Sequence, residues 1–398
     1  MALQEARLKI SDDEYLARCE GLRNRLGDAS GVVLFDMDYI KYYTGFAFIP
    51  TERPIVFAMN ASGQRGMFVP RMEVEHAQSY SMIDMVGHYR EYPGDTHPMR
   101  GLATMLVDLG IRGTIAADED GYPWVFGYRG PKLSEVTKAT VIPIREVIED
   151  QMMIKSEAEI RLLAESSKWA NLAHILLQRY TRPGLTETEV AQRASDEATR
   201  AMLDAIGPIY RNQSRYYPGA VADYRGQIGR GAAIPHALAN NVTFQVGDVL
   251  VTGASAPVWG YVSELERTMF IGQPSDDQRR MFDHMLALQT LAMEAIRPGR
   301  LCSDVDREVR AYFDQHNLND CWKHHTGHAI GLRYHEGPFL DTGDDTEIKE
   351  GMVFTVEPGL YSAELGGYRH SDTVVARKDG VEMLTYYPRE LEPLIIPA

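Results

Sequence analysis

The chain is predicted to be an α/β (α+β) protein with two domains, residues 1–152 and 153–398. With 398 residues, of which 44% are hydrophobic, it is long enough to bury two cores. Residues 1–150 alternate short apolar runs with helical patterns, which is typical of a mixed α/β domain. A long amphipathic helical pattern begins just after Met153, and we expect this helix to open the second domain.

Helix and strand signals follow one another through the first domain. Ser11 and the three acidic residues after it predict the start of a helix that runs to about Leu26. Gly110 is the expected end of another helix, Met99–Leu109. The remaining predicted elements are strands at Gly31–Phe35, Pro54–Met59, Met67–Pro70, Thr114–Ala117 and Val141–Pro143, and a helix near Arg145–Gln151.

The second domain combines long helices with short strands. Thr186 precedes a helical pattern and Glu189 follows three residues later, which predicts a capping box. Gly247–Phe270 has the pattern of two strands joined by a turn. Two further helices are expected at Gln289–Ile296 and Ser303–Phe313.

Composition excludes several classes of partner. The net charge of −15 argues against nucleic acid and against an anionic membrane surface. No apolar run approaches the roughly 18 residues that span a bilayer, and the first ten residues lack a secretory pattern. The widely spaced Cys19, Cys302 and Cys321 indicate reduced thiols, with neither a disulfide framework nor a metal site. We therefore expect a cytoplasmic protein.

The second strand of the Gly247–Phe270 pattern carries the first sign of chemistry. Because side chains alternate along a strand, Glu264 and Glu266 fall on one face and Leu265 on the other. Two neighbouring carboxylates in an apolar strand are costly unless something positive lies between them. The simpler interpretation is an edge strand whose charged face is solvated.

Four ordered motifs favour a functional site instead. His236 lies upstream of the hairpin, and the runs His324–Pro338, Gly351–Tyr361 and Gly366–Val375 lie downstream. Their order and spacing resemble the pita-bread superfamily, which includes methionine aminopeptidase, aminopeptidase P, prolidase and creatinase. The resemblance implies a C-terminal pita-bread catalytic domain with two pseudo-twofold αβ halves, preceded by a creatinase-like N-terminal domain.

The resemblance also bears on metal ions. Metalloenzymes of this superfamily hold two ions with Asp, Asp, His, Glu and Glu. The matching positions here are Gly253, Glu264, His328, Glu357 and Ser371. Glycine and serine cannot replace bridging carboxylates, so we expect no dinuclear site and no cofactor. A single divalent ion held by Glu264, His328 and Glu357 is the less favoured alternative.

A cationic substrate can replace the missing metal charge, because amidinium groups pair bidentately with carboxylates. This is the arrangement of creatinase, the metal-free branch that the local motifs resemble. It places a His eleven residues before Gly247 and a Glu in the Leu-Glu-Arg-Thr run. The resemblance implies catalytic roles for Glu266, His236 and Glu357, and substrate binding by Glu264, His328 and Arg53.

The departures from creatinase at Thr51 and Ser371 point to a related substrate. Together with the chain length, they favour a likeness to ectoine hydrolase, which opens the cyclic amidine of ectoine to N-acetyl-2,4-diaminobutyrate. The expected partners are a small zwitterionic amidine and a second copy of the chain, with Arg53 reaching the neighbouring site. The alternatives are a creatinase-like amidinohydrolase, a metal-dependent Xaa-Pro dipeptidase with a degenerate metal site, and an inactive binding module.

Overall fold

The computed structural model describes residues 6–398. The chain forms two compact units, Ile10–Met152 and Met153–Ala398, and the short segment ending at Lys9 belongs to the second of them. Across residues 6–398, no helix has both the length and the apolar composition that crossing a membrane requires.

The unit Ile10–Met152 is built on a six-stranded sheet with the order β4-β3-β2-β1-β5-β6. Its strands are β1 (Gly31–Leu34), β2 (Val56–Asn60), β3 (Arg65–Pro70), β4 (Met85–Tyr89), β5 (Thr114–Ala117) and β6 (Thr140–Pro143). Its helices are α1 (Asp12–Arg23), α2 (Met37–Thr44), α3 (Val74–Gln78), α4 (Pro98–Asp108), α5 (Leu133–Thr137) and α6 (Arg145–Met153). Strands β1 and β2 are antiparallel, whereas β1, β5 and β6 are parallel neighbours.

Local signals account for most of this unit. Ser11 caps α1 by accepting a hydrogen bond from the Glu14 backbone N–H, as predicted. Helix α4 packs Leu102 and Leu106 against Val33 of β1 and Ile115 of β5 in one apolar cluster. Helix α2 and strand β4 were not predicted, because α2 is short and rich in tyrosine and β4 lies among polar residues.

The unit Met153–Ala398 combines four long helices with short strands. The helices are α7 (Glu157–Tyr180), α8 (Glu187–Ile206), α9 (Asp276–Ala295) and α10 (Cys302–Gln315). The strands are β7 (Val221–Asp223), β8 (Val249–Val251), β9 (Gly253–Ser255), β10 (Leu265–Glu266), β11 (Thr268–Ile271), β12 (Gly327–Ala329), β13 (Glu336–Leu340), β14 (Val353–Val356), β15 (Leu360–Ser362), β16 (Gly366–Tyr368), β17 (Ser371–Arg377), β18 (Gly380–Met383) and β19 (Ile395–Ile396). Capping boxes begin α7 at Ser156 and α8 at Thr186, the latter as predicted.

The central sheet of this unit has eight strands, in the order β13-β12-β14-β17-β10-β9-β7, and β18 also pairs with β17. A smaller sheet has the order β19-β11-β8. The predicted hairpin is therefore divided between two sheets, since β9 and β10 join the large one and β8 and β11 the small one. The division occurs where the Thr252 backbone N–H donates to the Arg267 carbonyl, at 3.0 Å.

Candidate active site

Three side chains from separate elements of the central sheet converge at one place. The ligand atoms of Glu264, His328 and Glu357 all lie within 4.8 Å of one another. Glu264 immediately precedes β10, His328 is the middle residue of β12, and Glu357 immediately follows β14. Because β12 and β14 are neighbours and β10 pairs with the adjoining β17, the sheet brings these residues together.

Hydrogen bonds from β17 hold Glu264 in place. Its backbone N–H donates to the Thr373 hydroxyl at 2.8 Å, and the same hydroxyl donates to the Glu264 carbonyl at 2.9 Å. The Ser371 hydroxyl donates to Glu264 Oε1 at 2.8 Å. Leu265, which is fully buried, points away from this site. The Glu264 carboxylate is therefore oriented by Ser371, the residue that the resemblance matches to the last glutamate ligand.

His328 is fully buried and presents one ring nitrogen to the carboxylates. Its Nδ1 lies 3.0 Å from the Ala329 carbonyl, which favours a proton on Nδ1 and a lone pair on Nε2 once the ring is neutral. Nε2 is buried without a well-aligned hydrogen bond, although Glu357 Oε1 is only 3.1 Å away. A buried nitrogen in this situation has the orientation of a metal ligand.

Glu357 lies between His328 and a buried arginine. Arg369 Nε is 3.6 Å from Glu357 Oε2, and Arg369 Nη1 donates to the Tyr361 hydroxyl at 2.8 Å. The Glu357 backbone N–H donates to the Thr326 carbonyl at 2.8 Å, which fixes the chain where β14 ends. Arg369 thus helps to position the Glu357 carboxylate.

These contacts determine the protonation states of Glu264, His328 and Glu357. Burial, and then repulsion by Glu357 and Glu266, raise the pKa of Glu264 to about 7. Burial opposes the charge of His328, but Glu357 and Glu264 outweigh it and raise the pKa of His328 to about 9. Burial likewise opposes the charge of Glu357, whereas His328 and Arg369 hold its pKa well below the usual range. Without a bound ion, these pKa shifts favour an imidazolium at His328 paired with the Glu357 carboxylate.

These donors fit one divalent ion. Two carboxylates and an imidazole make a three-ligand site that leaves a position for water or substrate. Glu264, His328 and Glu357 form the one such group of three within residues 6–398. The neighbouring Gly253 supplies no donor atom, and the Ser371 hydroxyl is engaged with Glu264. These two positions therefore offer no carboxylate to a second ion.

Ion affinity is expected to rise with pH between about 7 and about 9. Below its pKa of about 7 Glu264 carries a proton, and below about 9 His328 does, so both protons must leave before the groups can act as ligands. Between these two pKa values only the His328 proton remains to be released, so the affinity for the ion gains roughly tenfold per pH unit. Calorimetric Mn²⁺ titrations in two buffers of different ionisation enthalpy measure both the affinity and the released protons. A flat pH profile without proton release would contradict this protonation pattern.

Glu266 lies in the same cavity but is already fully engaged. Both of its oxygens accept hydrogen bonds from Arg369, and Oε1 accepts another from Arg225. Its side chain is only 3% exposed. A carboxylate held by two guanidinium groups has few lone pairs left for nucleophilic attack, so this geometry suits a positioning role. The predicted catalytic role of Glu266 remains a prediction.

Two predicted site residues lie outside this cluster. His236 is exposed in the loop after the 3-10 turn Gly229–Ala233, and it is near enough to contribute to the lowered pKa of His335. Arg53 belongs to the unit Ile10–Met152, where it forms a bidentate ion pair with Glu91 and a further pair with Glu52. The predicted roles of His236 and Arg53 remain predictions.

A cavity of about 160 Å³ adjoins Glu264 and Glu266. It is lined by Tyr217, Val221, Asp223, Arg225, Gly253, Ala254, Ser255, Glu264, Glu266, Tyr334 and His335. The His335 ring stacks on the His328 ring with centroids 3.9 Å apart, and burial beside His328 lowers its pKa to about 4. Sequence reasoning missed Asp223 and Arg225, whose only signal is two charged residues at the end of the short strand β7.

Comparison with known proteins assigns both regions of the chain to known families. Residues 161–378 match the metallopeptidase family M24, and residues 18–154 match the creatinase/prolidase N-terminal domain. The chain is 30% identical over 325 residues to the Xaa-Pro dipeptidase of Pyrococcus furiosus, a match that covers 82% of this chain and 85% of that protein. The uncharacterized peptidase YqhT of Bacillus subtilis is 29% identical over 381 residues, covering 94% and 99% of the two chains.

Solved structures confirm the predicted pita-bread fold. The dipeptidase PepE of Mycobacterium ulcerans superposes with a TM-score of 0.81 at 24% identity, covering 98% of this chain and 100% of that one. The prolidase of Pyrococcus horikoshii superposes with a TM-score of 0.78 at 25% identity, covering 94% and 99%. The α/β architecture predicted from the motifs is therefore correct.

The prediction that the protein has no cofactor is wrong. The matched family is one of metallopeptidases, and Glu264, His328 and Glu357 form a group that can hold a metal ion. The loss of ligands at Gly253 and Ser371 does not remove the site, because the sheet still brings the other three residues together. The broader prediction of a hydrolase in the pita-bread superfamily is confirmed, since the chain belongs to the metallopeptidase family M24.

Proposed function

We propose that this protein is a metal-dependent hydrolase that cleaves a C–N bond in a small zwitterionic substrate, with Xaa-Pro dipeptides as the first class to test. The observation that carries the proposal is the buried group of Glu264, His328 and Glu357, whose ligand atoms lie within 4.8 Å. Relatives named Xaa-Pro dipeptidase support the choice of substrate.

The residues around the group have separable roles in hydrolysis. A divalent ion bound there supplies Lewis-acid polarisation of the scissile carbonyl and a water of lowered pKa. Arg369 orients Glu357, and Ser371 orients Glu264. His335 lines the cavity, and with its pKa lowered to about 4 its ring is neutral at neutral pH. We assign it to hydrogen bonding with the departing nitrogen, because a neutral imidazole can both donate and accept a proton.

The cavity limits the size of the substrate. Its volume of about 160 Å³ is below the roughly 300–1,000 Å³ of pockets that take drug-sized ligands. Tyr217 and Tyr334 form an aromatic wall, and their rings lie 6.5 Å apart between centroids. A wall of this kind suits the flat face of a small ring such as proline. The site thus favours molecules of dipeptide size or smaller.

A cyclic amidine such as ectoine is the second candidate, and the lining of the cavity favours it. Asp223 and Glu264 place two carboxylates around a small space, in addition to Glu266, which the arginines already hold. Carboxylates pair bidentately with amidinium groups, and tyrosine faces attract cations. On this alternative the ring-opening reaction uses the same metal-holding group.

We also propose that the two domains are residues 1–152 and 153–398. The matched regions, 18–154 and 161–378, support a boundary near residue 153.

We further propose that the protein is a homodimer. Trp124 and Phe126 are exposed on the unit Ile10–Met152, and they suit a surface that another chain covers. Sedimentation velocity at several concentrations measures this association directly.

The proposed function predicts that chelation abolishes turnover. Protein dialysed against EDTA should not hydrolyse Ala-Pro or Gly-Pro, and one equivalent of Mn²⁺ or Zn²⁺ should restore at least about 10²-fold activity, because the ion supplies the attacking water. Proton NMR of each dipeptide detects free proline, and a parallel sample containing ectoine detects ring opening.

The outcomes separate the candidates. Proline release that requires metal supports the dipeptidase, and ring opening that requires metal supports the amidine hydrolase. Turnover at the full rate in EDTA would contradict the metal-dependent mechanism for either substrate. Ala-Ala serves as the matched control, since it tests whether the imide bond of proline is needed.

A further inference from the structure

The cavity beside the metal group contains more carboxylate charge than one ion needs. Asp223, Glu264 and Glu266 all line it, yet among residues 6–398 only the group with His328 and Glu357 has the spacing of a metal site. The one cation in the cavity lining is the guanidinium of Arg225. This guanidinium therefore lies beside the carboxylates that do not belong to the metal group.

Arg225 is held in a backbone conformation that long side chains rarely adopt. Its φ is 48°, in the left-handed region. The next residue, Gly226, donates its backbone N–H to the buried carboxylate of Glu187 at 2.7 Å. The other Glu187 oxygen accepts the backbone N–H of Asn240 at 2.8 Å. Two segments are thus tied to one carboxylate, and this arrangement compensates for the strain at Arg225.

The guanidinium fills the space in front of Gly253. A Cβ atom placed on Gly253 would lie 3.7 Å from Arg225 Nη2 and 3.6 Å from Asp223 Oδ1. Nη2 donates to Glu266 Oε1, and it lies 3.3 Å from Gln227 Oε1. Nε is buried and makes no hydrogen bond with any residue that the structure describes. The guanidinium of Arg225 therefore lies among the carboxylates that line the cavity.

The formal charges around the site indicate how many divalent ions it can hold. Four carboxylates surround the site, those of Asp223, Glu264, Glu266 and Glu357, and two guanidinium groups, Arg225 and Arg369, lie among them. One divalent ion at the metal group brings the charge of this set to neutrality. A second divalent ion beside Arg225 would leave a net positive charge in a buried place, which is costly.

We propose that Arg225 is a fixed cation that takes the place of a second metal ion, so that this site binds a single divalent ion. The inference rests on the metal group of the proposed function. Arg225 acts here as a positioning residue, because its charge offsets those of Asp223 and Glu266 and its guanidinium holds the Glu266 carboxylate in place.

Metal content tests this inference without any assay of activity. G253D adds a carboxylate opposite Asp223, and its Cβ meets only ordinary van der Waals contacts. R225M removes the positive charge at similar length. The proteins compared are wild type, G253D, G253D/R225M and G253D/R225K, all loaded with Mn²⁺, gel-filtered, and measured by elemental analysis and by EPR.

We expect G253D to keep the wild-type manganese content, G253D/R225M to gain about one ion per chain with an exchange-coupled EPR signal, and G253D/R225K to resemble G253D. The inference is overturned if G253D alone gains the extra ion, or if folded G253D/R225M gains none. A coupled pair in the wild type would also overturn it, even if the variants fail to fold. Because the comparison is a difference between variants, an ion-free wild type would reject the metal group of the proposed function separately.

Discussion

His328→Ala is expected to remove both the bound ion and the activity. The ring is fully buried, and its Nε2 has no well-aligned hydrogen-bond partner. This nitrogen is therefore available to bind an ion. Removing even the outer partners of a metal ligand costs about 10–100-fold in affinity or activity, so loss of the ligand itself should cost at least about 10²-fold. Elemental analysis after gel filtration and dipeptide hydrolysis under added Mn²⁺ measure the two effects.

His284→Ala is the matched control for this substitution. His284 lies on α9, where its ring contacts the Tyr312 hydroxyl at 3.0 Å, and it belongs to no metal-holding group among the described residues. It should keep the ion and the activity. If His328→Ala retained its manganese and its turnover while staying folded, the proposed metal group would be wrong.

Local sequence patterns predicted the parts of the fold that depend on nearby residues. The capping box of Thr186 and Glu189 requires only a separation of three residues, and the shared face of Glu264 and Glu266 requires only strand alternation. Helix α9 was predicted too short, as Gln289–Ile296 instead of Asp276–Ala295, because it begins with the polar and charged run 276–280, which hides its start.

Long-range pairing determined what the sequence did not predict. Arg225 and Asp223 reach the site because β7 pairs with β9 in the register Asp223 to Gly253, and no motif marks that pairing. The same register places Gly253 in the lining of the cavity, although it lacks a side chain. The missing ligand was visible in the sequence, but the arginine that fills its place was visible only after folding.

Arg267→Met is expected to produce the largest loss of stability. Arg267 and Asp372 form an ion pair at 2.8 Å in which both side chains are fully buried. The guanidinium also donates to the carbonyl groups of Tyr387 and Pro388, each at 2.8 Å. Breaking a buried pair from one side leaves an uncompensated charge and costs about 3–5 kcal/mol. The free energy of unfolding in urea, followed by tryptophan fluorescence, measures this loss.

The matched control is Arg280→Met, which removes the exposed ion pair with Asp277 and should change stability by less than about 0.5 kcal/mol. The double variant Arg267→Met/Asp372→Asn should lose less than Arg267→Met alone, because it no longer buries an unpaired carboxylate. Equal stability of the two Arg267 variants would mean that the charge of Asp372 is compensated elsewhere. The compensating groups would then be Gln289 and Thr385, which donate hydrogen bonds to Asp372 at 2.9 Å and 2.6 Å. The loss in Arg267→Met would in that case come from its carbonyl contacts alone.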